Sequence, residues 1–253
     1  MTYVGCRPSI SHAFIEEVIM NKARVSEIFS SLQGEGIYWG KKQIFLRFYA
    51  CNMKCIYCDD EEKTFGGVYE EVDVPTLRSR VLVLEEREGP HHSISLTGGE
   101  PLLYADFLKE FLPLLKADGF LLYLETNGTY PEKLQQVIEW IDIIAMDIKP
   151  PSATRDRPFW EEHRRFLELG KTKALFVKIV ITKETDVREV ERSIGEIARL
   201  DRNIPLILQP VTPYGEIQET VSKPVLFFLE RRAREMLRDV RILPQLHKLV
   251  GIP

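Results

Sequence analysis

No apolar run in this 253-residue chain approaches the ~18 to 20 residues of a membrane-crossing helix, so no membrane partner is expected. Excess charge is scarce too: 34 Lys and Arg against 38 Asp and Glu leave a formal net charge of −4. That balance argues against a broad basic face for nucleic acid or an anionic membrane and points to a small-molecule partner. The N-terminal segment MTYVGCRPSISHAFIEEVIMNKA interrupts each apolar run with Arg7, His12, Glu16 or Glu17. It lacks the continuous apolar core of a secretory signal, and a cytoplasmic location is expected. Repeats, low-complexity tracts and long linkers are missing as well, which predicts one domain over residues 25–253 after an N-terminal extension over residues 1–24. Cysteine is rare at four residues, yet Cys51, Cys55 and Cys58 fall within eight positions. In a reducing compartment such crowding indicates metal binding or catalysis rather than a disulfide framework, and leaves Cys6 a bystander thiol.

From Gln43 onward, short β-branched or aromatic runs alternate with longer amphipathic ones. QIFLRFY (43–49), SISLT (93–97), FLLYLET (120–126), DIIAMDI (142–148), ALFVKIVIT (174–182) and IPLILQP (204–210) read as strands, with VRIL (240–243) a weaker seventh. Between them LLYADFLKEFLPLLKA, PEKLQQVIEWI, RPFWEEHRRFLELG, DVREVERSIGEIARL and KPVLFFLERRAREML carry apolar residues at spacings of three and four, as amphipathic helices do. Alternating strands and helices predict right-handed crossovers and a parallel sheet with helices outside.

The unusual residues cluster where these strands end. ACNMKC follows the first, GGEP (98–101) the second, NG (127–128) the third, KPPS (149–152) the fourth and QPVTP (209–213) the sixth. Turn chemistry accounts for the Gly, Pro and Asn, but not for Glu100, Glu125, Asp147 and Lys149. A site fed by the carboxyl ends of five strands predicts a curved sheet, here a partial (β/α)6 barrel of the TIM type.

Three thiolates spaced C-x3-C-x2-C on one loop can serve a single inorganic centre. Structural zinc wants four protein ligands, and after Cys58 no Cys or His occurs until His91. A zinc site completed by Cys6 or a histidine, or a chance group of buried thiols, is the plain alternative. A 4Fe–4S cubane held by three cysteines keeps one iron open to a non-protein ligand. The spacing, Tyr57 before the third cysteine, and GGEP after the next strand resemble the radical S-adenosylmethionine superfamily. There the amino and carboxylate groups of S-adenosylmethionine occupy the open iron, and its reductive cleavage yields a 5′-deoxyadenosyl radical. The resemblance implies that Glu100 and the neighbouring backbone meet the methionine amino group.

Further motifs narrow the likeness. EIFSSLQGEG (27–36), Arg47, TGGEP (97–101), ETNG (125–128), DIKPPS (147–152), LQPVTP (208–213) and QLHKLVGIP (245–253) occur in the order found in the 7-carboxy-7-deazaguanine synthase family. That resemblance implies conversion of 6-carboxy-5,6,7,8-tetrahydropterin to 7-carboxy-7-deazaguanine with loss of ammonia, in the queuosine and archaeosine precursor pathway. It further implies a flavodoxin- or ferredoxin-like electron donor, a homodimer and no direct contact with tRNA. Carried over by motif, Leu32, Gln33, Gly34, Arg47 and Thr97 contact the pterin, as does the terminal Pro253. Gly99, Glu100, Asp147, Ile148, Lys149, Gln209, Pro210, Val211 and Thr212 line the S-adenosylmethionine pocket, and His247 and Lys248 match a terminal His-Lys pair. Gly34 and Gly36 would let backbone approach a flat ring. Where the family has a hydroxyl residue that helps hold Mg²⁺, this chain has Asp60, itself a hard oxygen ligand. A glycyl-radical activase, or a non-catalytic zinc or iron–sulfur module, are the competing functions, and RRAR (231–234) reads as a charged outer helix face rather than an RNA patch.

Overall fold

The computed structural model describes residues 21–59, 66–154, 156–214 and 217–251. Cys6, the rest of the N-terminal extension up to residue 20, Asp60 and Pro253 lie outside them.

Among the described residues, nine strands form one open sheet in the order β3-β1-β2-β4-β5-β6-β7-β8-β9. Seven are parallel neighbours: β2 (Lys42–Phe48), β4 (Ser93–Gly98), β5 (Leu122–Thr126), β6 (Ile143–Asp147), β7 (Ala174–Ile181), β8 (Leu206–Pro210) and β9 (Val240–Ile242). All six firm strand expectations and the weaker seventh are therefore present, and the open parallel sheet is consistent with the partial barrel.

Two strands and three helices, one long and two short, were not foreseen. β1 (Lys22–Leu32) pairs antiparallel with β2, and β3 (Glu70–Asp73) pairs antiparallel with β1. The segment KARVSEIFSSL mixes charged, hydroxyl and apolar residues without clean alternation, because β1 lies between two neighbours and carries a bulge between Val25 and Glu27. The helix α1 (Val74–Glu88) contains the run VLVL, which hides a helical period. Its start is nonetheless marked, since the Asp73 side chain accepts from Thr76 N at 2.9 Å as an N-cap.

The other helices are α2 (Ala105–Ala117), α3 (Pro131–Val137), α4 (Pro151–Thr154), α5 (Trp160–Gly170), α6 (Val187–Leu200), α7 (Lys223–Met236) and α8 (Leu246–Val250). The RRAR stretch lies on α7, where Arg232 pairs with Glu191 and Glu235, and Arg234 with Glu230.

Strand alternation positions the site. Successive side chains point to opposite faces, so Ile44, Leu46, Ile94, Leu96, Leu122, Leu124, Ile144, Met146, Val177, Ile179, Leu206 and Leu208 all enter one apolar core beneath the helices. Each such fully buried side chain contributes about 1.5–3 kcal/mol. The intervening residues face the concave side. There Tyr123, Ile143, Phe176 and Ile207 form a separate apolar plug. Nearer the carboxyl ends of these strands, and on β2 and β4 beside them, the inward positions turn polar: Arg47, Thr97, Glu125, Asp147, Lys178 and Gln209. The concave face thus carries an apolar floor with charged groups above it.

Candidate functional site at the carboxyl ends of the strands

A cavity of about 480 Å³ opens above that floor, and the three clustered cysteines share it with the inward polar residues. Its shape follows from how two loops are stitched together. Gly99 N donates to Phe48 O at 3.1 Å and Glu100 N to Ala50 O at 3.0 Å, so the loop after β4 lies against the cysteine loop after β2. Contact is so close that a Cβ on Gly99 would stand 1.9 Å from Ala50 O and 2.9 Å from Cys51 N. We expect Gly99→Ala to push the cysteine loop outward at a cost of about 1–3 kcal/mol, a drop of several degrees in a thermal melt. An unchanged melting temperature would contradict this packing.

None of the three cysteines is in a disulfide. Cys51 Sγ accepts from Met53 N at 3.4 Å, and Asn127 Nδ2 lies 3.8 Å from it. Burial pushes the Cys51 thiol up to about 12 and raises that of Cys55. Such thiols ionise when a cationic metal replaces the proton. The three sulfurs line one cavity, whose described wall holds no histidine and no other cysteine. That donor set suits a multi-iron cluster, in which each sulfur binds a different iron, better than a four-ligand structural zinc.

Beside the cysteines lies a charged group on β6 and β7. Asp147 Oδ2 is 2.7 Å from Lys149 Nζ and 3.2 Å from Lys178 Nζ, and Lys178 also pairs with Glu35. Glu35 Oε1 accepts from Gln209 Nε2 at 3.0 Å and Gln245 Nε2 at 2.8 Å. Burial acts to raise the Glu35 pKa, but with the Lys178 ammonium beside it the net shift is downward. Burial likewise disfavours charge on Lys149, yet Asp147 holds its pKa well above the ordinary lysine value. Asp147 Oδ1, Gln209 Oε1 and the Tyr57 hydroxyl are buried without a protein partner. Buried polar atoms seldom stay unpaired, so these suit a bound polar molecule.

A second polar group faces β1 and β2, toward the β3 side of the sheet. Glu125 accepts from Gln33 Nε2 at 2.7 Å, Thr97 Oγ1 at 2.7 Å and Ser95 Oγ at 3.1 Å. Arg47 Nε donates to Glu27 at 3.1 Å, its guanidinium lies over the Phe29 ring, and Phe29 stacks on Phe45 with centroids 5.1 Å apart. One wall is therefore aromatic with a cationic fork at its edge, suited to a flat anionic ring.

The cavity brings together Leu32, Gln33, Gly34, Arg47, Thr97, the three cysteines, Gly99, Asp147, Lys149, Gln209, Val211 and Thr212. Three expected residues are not on its wall. Ile148 and Pro210 follow inward-facing Asp147 and Gln209, so alternation turns them away, and Ile148 is buried in the helix-side core. Glu100 is fully buried and spent within the protein: it accepts from Leu102 N, Thr126 Oγ1 and Asn127 N at 2.9–3.0 Å. Gly36 also differs from expectation. It has φ +66°, and a Cβ there would meet the Phe176 ring at 2.4 Å, so the protein's own packing calls for glycine. His247 falls within α8.

Sequence reading passed over Glu35, Lys178 and Gln245. Lys178 had a signal, a single cation amid the apolar run ALFVKIVI. Glu35 and Gln245 sit inside the EIFSSLQGEG and QLHKLVGIP motifs, but nothing local pairs them.

His163 on α5 buttresses the site from behind, its Nε2 3.1 Å from Asn127 O. Burial lowers its pKa from 6.5 to about 4. The unfolded chain therefore binds more protons between those values. His163's contribution is full above pH 6.5 and falls as pH drops toward 4, by at most about 3 kcal/mol. Glu100 acts in the opposite sense, because burial raises its pKa from 4.5 to about 7 and its ionisation costs stability as pH rises. The difference between wild type and His163→Leu isolates the imidazole. We expect urea-unfolding free energies of the two to converge or cross as pH falls from 6.5 to 4; a constant gap would contradict a neutral buried histidine.

The sequence pattern of the Radical SAM superfamily matches residues 46–183. The chain is 43% identical over 246 residues to a 7-carboxy-7-deazaguanine synthase from Geobacter sulfurreducens, spanning 90% of this chain and 97% of that protein. It is 32% identical over 247 residues to one from Methanocaldococcus jannaschii, spanning 90% and 99%. In fold it is similar to a crystal structure of QueE from Escherichia coli, with TM-score 0.61 at 20% identity over 89% of this chain and 95% of that one.

Proposed function

This chain belongs to the 7-carboxy-7-deazaguanine synthase family of radical S-adenosylmethionine enzymes, and on that premise we propose that it converts 6-carboxy-5,6,7,8-tetrahydropterin to 7-carboxy-7-deazaguanine with loss of ammonia. The observation that carries the reading is one cavity with two unlike walls: three cysteines, with no fourth among the described residues, on one side, and Arg47, Gln33 and Thr97 on the other.

When bound, the 4Fe–4S cluster together with S-adenosylmethionine supplies a 5′-deoxyadenosyl radical for hydrogen abstraction. Cys51, Cys55 and Cys58 hold the cluster. Gly99, Asp147, Lys149, Gln209, Val211 and Thr212 would hold S-adenosylmethionine, with the unpaired Asp147 Oδ1 and Gln209 Oε1 available as acceptors. Leu32, Gln33, Gly34 and Thr97 bind the pterin, while the Arg47 fork takes its carboxylate. Glu125 anchors the Gln33 amide, so that its carbonyl can accept from Glu35 N at 3.0 Å and fix the loop.

The finer reading adds Mg²⁺ held by Asp60, a flavodoxin- or ferredoxin-like electron donor, a homodimer in the cytoplasm, and a product destined for queuosine or archaeosine. A carboxylate at position 60 offers charge and oxygen, both of which a hard divalent cation favours. Relatives named as the synthase over nine-tenths of this chain do not favour a glycyl-radical activase or a non-catalytic metal module. The test is anaerobic turnover of carboxytetrahydropterin by reconstituted protein, with and without Mg²⁺. Product is expected with both variants of the cation site, wild type and Asp60→Thr, and rate should fall when Mg²⁺ is withdrawn. Cleavage of S-adenosylmethionine with no pterin turnover would overturn the assignment.

A further inference from the structure

Lys178 stands at the join between the two halves of the cavity. It projects from the middle of β7, and its ammonium is shared by two carboxylates from different parts of the chain: Asp147 on the adjacent strand and Glu35 in the loop after β1. The surrounding bonds make it a junction. On one side Asp147 Oδ2 is also held by Lys149, and Asp147 Oδ1 has no protein partner. On the other, Glu35 is tied through Gln33 to Glu125 and Thr97, because Glu35 N donates to Gln33 Oε1, and Gln33 Nε2 and Thr97 Oγ1 both donate to Glu125.

A single positive charge cannot fully neutralise two anions, so its attraction is divided. Side chains of Lys178, Asp147 and Glu35 are 15%, 12% and 23% exposed, which leaves little solvent to screen that division. Within this group two lysines balance two carboxylates. A cationic ligand beside Asp147 relieves part of its demand on Lys178, and the ammonium then holds Glu35 more firmly. The converse also follows, since coupling between two sites is reciprocal.

We propose that Lys178 is the positioning residue that couples cofactor binding at Asp147 to substrate binding at the Glu35 loop, each tightening the other. This inference rests on the functional reading above, in which S-adenosylmethionine, carrying its sulfonium charge, lies beside Asp147 and the pterin lies beside the Gln33–Glu35 loop.

The test is equilibrium dialysis of S-adenosylmethionine against anaerobically reconstituted protein, with and without carboxytetrahydropterin and with no reductant, so that binding alone is read. Wild type is expected to bind the cofactor about 10-fold more tightly when the pterin is present, within the usual range of such coupling. Lys178→Met should bring that factor toward 1 at unchanged iron content, and Lys178→Arg should restore most of it. Glu35→Gln breaks the same link from the other end, keeps the residue's shape, and carries the test if the methionine variant fails to fold. A methionine variant that keeps the wild-type factor, or a wild type that binds both molecules without coupling, overturns the proposal. Wild type that binds the cofactor but no pterin overturns the functional reading instead.

Discussion

Cys55→Ser protein, reconstituted without oxygen, is expected to hold a small fraction of the wild-type iron and sulfide and to form no product above background. The chain has one cysteine besides the cluster on the loop, Cys6, far away in sequence. With three thiolates, each on its own iron, the protein leaves one iron for the cofactor. With two, a second iron is exposed, and a hydroxyl replaces a thiolate much less well at a soft metal. Fold and cluster should separate in this variant. Cys55 is partly exposed and lies on a loop, so circular dichroism of Cys55→Ser should match that of the metal-free wild type. Full iron content in the serine variant would remove Cys55 from the ligand set.

Glu125→Ala is expected to lower folding stability by about 3 kcal/mol and to raise the Michaelis constant for the pterin, whereas Glu125→Gln should cost under about 1 kcal/mol. The alanine leaves the Gln33 amide, the Thr97 hydroxyl and the Ser95 hydroxyl without their shared acceptor, and Thr97 and Ser95 are buried. Each orphaned donor carries a desolvation penalty. A glutamine keeps one oxygen for Gln33 and Ser95, and the Thr97 hydroxyl can rotate from donor to acceptor for the new amide group. Chemical denaturation of both variants checks the ranking. Equal losses would mean that the carboxylate charge, and not its hydrogen-bond geometry, sustains this wall.

The features legible in the sequence share a physical cause. Parallel strands buried on both faces read as apolar runs, and six of them were visible because nothing else produces such runs between helices of matching length. Cys51, Cys55 and Cys58 stood out because the chain has almost no other cysteine. β3 escaped notice because a short edge strand keeps polar residues, and β1 because KARVSEIFSSL has no single buried face. Within the site, Ile148 and Pro210 were placed with their neighbours by motif, while alternation along the strand decides which of two adjacent residues faces the cavity. Glu100 shows the same limit: a charged residue at a strand end can serve the protein's own backbone. Lys178 and Gln245 act through partners 31 and 210 residues away, which no local pattern records.

If the cysteine trio leaves one iron for S-adenosylmethionine, Mössbauer spectroscopy of protein reconstituted with iron-57, before and after addition of S-adenosylmethionine, will show it. The expected spectrum is that of a 4Fe–4S cluster in which one iron site alone changes its parameters when the cofactor is added. A spectrum unmoved by the cofactor, or protein that takes up stoichiometric zinc and no iron, would contradict it.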